Sequence, residues 1–343
     1  MLEYKKRNEV KFSLGHHQHP FDEFPAMRDW FRHVEAQNLS NPSDLLLYNL
    51  IKSFIAPSNE AVRHVTLGVD AFIRSSVNHK HDFIMADSLA VELGRSILEI
   101  LTYVTENAVI ANDGKRLLDP LAQLTVKTNL AAVRFLFAWI LFNTGDIEGC
   151  IEECEKETEF TGPLNTLLGQ ALLESGKPGE AIGALELAVR LDAHDIIAYV
   201  QLVKAHLINN DPSKAISYLK VCKNLVGDHI EITCLSAMAS IQDLGQNPQF
   251  ADQALSELTD FLKDDPGNIH LFCLGIDLAA TRNNSLAASL LIANIDMAKA
   301  AAQESFIKML VATLKCLGEK SWHGAVAMLS SKAARFTGQL SAM

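Results

Sequence analysis

Apolar residues recur three and four positions apart along almost the whole chain, the spacing of helices buried on one side. Alternating apolar and polar runs are scarce, and no β-hairpin turn is read between two such runs, so an all-α chain is expected. The first 20 residues lack the pattern and read as a flexible segment. A stripe of Phe24, Met27, Phe31 and Val34 predicts a helix after Pro25. Asn41-Pro42 joins a capping side chain to a proline suited to a first helical position, and opens a second helix through Ile55. A long periodic segment runs from Asp82 to Ala111 and is broken by Asp113-Gly114. Asp119-Pro120 then starts a helix expected to reach Asn143.

Beyond that point the pattern repeats. One unit reads LNTLLGQALLESGKPGEAIGALELAVRLDA, from Leu164 to Ala193. Its Ala181, Leu185 and Ala188 return 34 residues later as Ala215, Leu219 and Cys222. A period of this length marks paired helices that hide their apolar faces only by stacking on neighbours. Gly145, Gly176 and Gly245 fall where the two helices of a pair would turn, and Asn209-Asn210-Asp211-Pro212 takes that place in its own unit. Ala181 and Ala215 mark a close helix crossing, where a large side chain would not fit. Cys150, Ala254, Ala288 and Ala325 are weaker matches to that position.

Gly169, Leu172, Gly176, Ala181, Leu185 and Ala188 together resemble the tetratricopeptide repeat family. The next unit departs from the family pattern at Val203 and His206. Later units are looser, and Ala138, Leu141, Gly145 and Cys150 suggest one more upstream. The resemblance implies a right-handed α-solenoid of helical hairpins over residues 120–336. Residues 21–115 would form a helical region of capping or divergent repeats, with 1–20 flexible before it. It also implies that the first helix of each pair lines a concave surface. Projected onto this sequence, the inward residues are Phe135, Trp139 and Phe142; Leu167, Gln170 and Leu173; Val200, Gln201, Lys204 and Leu207; and Leu235, Met238 and Ile241. Such a groove is strongly apolar. It lacks the Lys, Arg and Asn set with which members of the family clamp a terminal carboxylate. It would receive an amphipathic helix from a partner, or be filled by the protein's own N-terminal segment or a second copy.

Composition narrows the function. The formal charge is −11, which argues against a nucleic-acid partner. The most apolar run, Leu130 to Phe142, is too short to span a membrane and contains Arg134. The N-terminus has basic residues without an apolar stretch behind them, so no signal peptide is expected. Six scattered cysteines read as reduced thiols in a cytoplasm. His16, His17 and His19 could hold a divalent metal, but a polar tail is the preferred reading. Cys150 and Cys154 lie one helical turn apart and read as packing residues, since no second pair completes a zinc site. The acids Glu152, Glu153, Glu155, Glu157 and Glu159 read as a solvated helix face.

With no phosphate-binding loop, nucleophile elbow or zinc-protease motif, neither catalysis nor a cofactor is expected. The leading expectation is a protein- or peptide-binding scaffold, open to self-association. The alternatives are a cytoplasmic chaperone of a secretion or surface-assembly system, a ligand-responsive regulator, and, last, a metal-dependent enzyme built on the N-terminal histidines.

Overall fold

The computed structural model describes residues 24–35, 39–56, 58–156, 161–244, 246–303 and 306–341. His16, His17, His19, Glu157, Glu159 and Gly245 lie outside them, as does the 1–20 segment. Every regular element among the described residues is helical. The chain divides into two compact units, Met1–Asp195 and Ile196–Met343.

In the first unit the helices are α1 (Pro25–Glu35), α2 (Pro42–Ile55), α3 (Ser58–Ser75), α4 (His79–Glu92), α5 (Ile97–Ile110), α6 (Leu118–Thr128), α7 (Ala131–Asn143), α8 (Ile147–Glu155), α9 (Gly162–Glu174) and α10 (Pro178–Leu191). The pairs α2/α3, α7/α8 and α9/α10 pack as hairpins. One core runs from Met27 to Ile140 without a break near residue 115. The expected Asn41 cap is present: its side chain accepts from the Ser43 N–H at 3.0 Å, with Pro42 at the first turn.

Two expected helices are each cut in two. The Asp82–Ala111 segment breaks at Gly94, whose φ of +116° suits glycine. Ser96 and Glu99 then restart it with a reciprocal capping box, at 3.1 and 2.9 Å. Ser96→Ala should lower the unfolding free energy by about 1 kcal/mol. Urea titration checks this; an unchanged midpoint would mean the box contributes nothing. The Asp119–Asn143 helix breaks at Asn129, which sits left-handed at φ 47°. The Asn129 side chain accepts from Arg134, which also pairs with Glu153 at 3.0 Å. Asparagine tolerates this conformation better than most residues, and here it gains a buried partner.

The second unit holds α11 (Ile196–Ile208), α12 (Pro212–Val226), α13 (Ile230–Gln242), α14 (Pro248–Asp264), α15 (Ile269–Thr281), α16 (Ser285–Asn294), the short α17 (Met297–Ala300), α18 (Phe306–Glu319) and α19 (His323–Ser341). Its hairpins are α11/α12, α13/α14, α15/α16 and α18/α19. A core from Ala237 to Leu329 holds the last three together.

Five of the hairpin turns share one chemistry. After α7, α9, α11, α15 and α18 comes a left-handed residue: Gly145, Gly176, Asn210, Asn283 or Ser321. The N–H that follows each bonds back to the carbonyl five residues earlier: Asp146 to Leu141, Lys177 to Leu172, Asp211 to His206, Asn284 to Ala279, and Trp322 to Leu317. This closes the first helix. Asp146, Asp211 and Asn284 then cap the second helix with their side chains. Gly169 and Ala181, both buried, carry the crossing of α9 with α10. A Cβ on Gly169 would lie 2.3 Å from Leu185 Cγ.

Candidate interaction surfaces

Within a unit, first helices of neighbouring pairs touch one another. In the second unit α11 packs on α13, α13 on α15 and α15 on α18. Polar bonds tie the row. Lys204 Nζ donates to Glu231 Oε1 at 3.0 Å, and Gln242 Nε2 donates to the Leu207 carbonyl at 3.0 Å. Cys273 Sγ lies 3.2 Å from Thr313 Oγ1.

Each of these helices is buried on most of its circumference and keeps one narrow strip toward water. At 3.6 residues per turn, the strip on α11 carries Ile197, Gln201, Lys204 and Ile208. On α13 it carries Glu231, Cys234, Met238 and Ile241, and on α15 His270, Leu274, Asp277 and Thr281. Four of the residues expected here, Gln201, Lys204, Met238 and Ile241, are on these strips. Val200, Leu207 and Leu235 are buried beneath them. Sequence projection passed over Ile197, Ile208, Cys234, His270, Leu274 and Asp277, although the 197-201-204-208 spacing was there to read.

In the first unit α7 packs on α9. Phe135, Trp139 and Phe142 form the strip of α7, and Gln170 and Leu173 that of α9; all five are half-buried, while Leu167 is in the core. The strips of the first unit are therefore largely aromatic and apolar, and those of the second are mixed.

A shallow cleft of about 440 Å³ opens between α12 and α14, lined by Lys220, Lys223, Asn224, Asn247, Gln249 and Gln253 over Phe250. Lys223 is committed within it. Both Glu257 carboxylate oxygens accept from its Nζ, at 2.6 and 2.8 Å, and Thr233 Oγ1 donates to the same carboxylate at 2.8 Å.

The thiols of Cys154, Cys222, Cys234, Cys273 and Cys316 are all shifted upward by their surroundings. Burial pushes Cys222 up to about 12 and Cys273 up to about 11, the latter despite its Thr313 bond. Cys154 is raised by its hydrogen bond with Cys150 and then by burial. Asp277 is raised by burial, against a bond from the Cys316 thiol. Thiols so protected are poor nucleophiles and poor metal ligands. Among the described residues no group of three or more His, Cys, Asp or Glu is placed to hold a metal. None of the described helices is long and apolar enough to cross a membrane. In the acidic run, Glu153 is engaged by Arg134 and Lys156, while Glu152 and Glu155 face water.

No protein-family model matches the chain, and no curated protein does. Among solved structures it is similar to YrrB, described as a TPR protein with an unusual peptide-binding site: 15% identity, 51% of this chain and 91% of that one, TM-score 0.40. It is similar to a tetratricopeptide repeat protein from Parabacteroides merdae at 8% identity, over 68% of this chain and 98% of that one, TM-score 0.44. It is also similar to a chain of the APC/C hetero-tetramer Cut9-Hcn1 at 14% identity, over 84% of this chain and 59% of that one, TM-score 0.48. The protein is an all-α chain built from successive helical hairpins.

Proposed function

We propose that this protein is a non-catalytic scaffold that holds a peptide or helix of a partner protein along the open strips of its first helices. The observation that carries the reading is the row Phe135, Trp139 and Phe142 on α7, three large aromatic side chains at helical spacing and only half-buried. Aromatic rings bury much apolar area with little loss of side-chain freedom, and they dominate the energetics of protein interfaces. Met238 and Ile241 offer a smaller apolar strip in the second unit, flanked by the Lys204–Glu231 pair. Six free cysteines fit a reducing, cytoplasmic setting.

The test is quantitative recovery of partners by the native protein and by Trp139→Glu and Met238→Glu, each first checked for a wild-type circular dichroism spectrum. Placing a charge at an interface anchor should weaken binding by about 2 kcal/mol or more, roughly thirtyfold. Equal recovery by both variants would remove the strips as the binding surface. If the partner becomes insoluble only in cells carrying the variants, the scaffold acts as a chaperone.

A further inference from the structure

The edge of α18 carries a further exposed apolar ridge, apart from the strips already described. α18 uses three sides of its circumference differently. Phe306, Thr313 and Leu317 enter the core. Met309 and Thr313 meet Cys273 of α15, and Cys316 bonds Asp277 of α15. The side roughly 180° from α15 carries Ile307 and Val311, 74% and 60% exposed, with half-buried Leu310 and Leu314 beside them. These four positions make an i, i+3, i+4, i+7 ridge, the spacing by which one helix accepts another. Leu310 and Leu314 also pack on the core, while Ile307 and Val311 stay open to water.

Charge says what fits there. Residues 306–341 contain Lys308, Lys315, Lys320, Lys332 and Arg335 against Glu319 alone. The chain as a whole is at −11, so this basic hairpin stands out from an acidic remainder. Lys332 is engaged, donating to the Ala293 and Ile295 carbonyls at the end of α16, and Lys315 lies 3.8 Å from Glu319. Lys308 and Lys320 face water with no ion pair among the described residues.

We propose that this ridge binds an acidic amphipathic helix of another protein. Its apolar stripe would cover Ile307 and Val311, and its Asp and Glu side chains would face Lys308 and Lys315. Other occupants fit less well. Residues 1–23 carry four basic and four acidic side chains, so they bring no net attraction. The same hairpin of a second copy would oppose like charge with like. An anionic bilayer would attract the hairpin but repel the rest of the chain.

The probe is a synthetic 18-residue helix with leucine at i, i+3, i+4 and i+7 positions and glutamate flanking them, titrated into the full chain by fluorescence anisotropy. Binding should exceed that of a lysine-flanked copy at least tenfold and weaken as salt rises. Ile307→Glu with Val311→Glu should weaken it at least tenfold, and Lys308→Glu should weaken it and flatten the salt dependence. Val126→Glu, at an equally exposed apolar site on α6, should leave it unchanged. No binding, or equal binding of the two peptides, overturns the proposal. So does Ile307-dependent co-sedimentation with phosphatidylserine vesicles, or self-association lost in the Ile307 variant.

Discussion

Gly169→Leu should cost the α9/α10 hairpin at least about 3 kcal/mol, the upper end of the range for overpacking a dense core. Even a methyl group at Gly169 would meet three Leu185 atoms at 2.3, 2.5 and 3.0 Å, and Leu185 has no exposed surface into which to retreat. Gly169→Ala is the sharper test because two effects oppose. Alanine gains about 1 kcal/mol of helix propensity over glycine, while the forced contact costs about 1–3 kcal/mol. A net loss is expected. Combining Gly169→Ala with Leu185→Ala should cost less than the two separate losses added together, because the shortened side chain makes room for the new methyl. Hydrogen exchange of the α9 and α10 amides, with urea titration, measures each step. A Gly169→Ala variant as stable as the wild type would show that the two helices can move apart freely. Gly275 faces Leu291 under the same constraint, with a nearest contact of 2.8 Å.

Glu257→Ala should cost about 2–4 kcal/mol, far more than removing a surface ion pair. Both oxygens of the Glu257 carboxylate accept from Lys223, and one also accepts from Thr233. The side chains of Lys223 and Glu257 are only 12% and 11% exposed. Removing the carboxylate leaves an ammonium and a hydroxyl without their acceptor, in a place where water reaches poorly. Lys223→Met combined with Glu257→Leu should recover part of the loss, since neither substituent needs a partner. Urea midpoints of the three proteins decide the matter; a loss under about 0.5 kcal/mol in Glu257→Ala would mean that water replaces the pair.

The hairpins were legible because their crossing positions tolerate only small residues. Gly169, Ala181 and Ala215 are read directly as close approaches, and each is buried. The breaks at Gly94 and Asn129 were harder to see, since apolar spacing continues through them. The Ser96–Glu99 cap was nonetheless present in the letters. The open strips were legible only in part. Helices such as α13, packed by a hairpin partner and by neighbouring first helices, are apolar nearly all round. Their sequence therefore gives weak bearing on which side meets water, and Leu235 in the core and Met238 on the strip are hard to tell apart by type alone. The α7 strip was clearer because its large residues, Phe135, Trp139 and Phe142, keep regular spacing.

The recurring turn has a kinetic consequence. Five of the hairpins are closed by a bond that spans five residues, and the two helices of each follow directly in the chain. Either partner can therefore find the other before any distant segment has been positioned, which favours rapid assembly. A chain made this way has several equivalent places at which ordering can begin, and a lesion in one of them slows its own neighbourhood first.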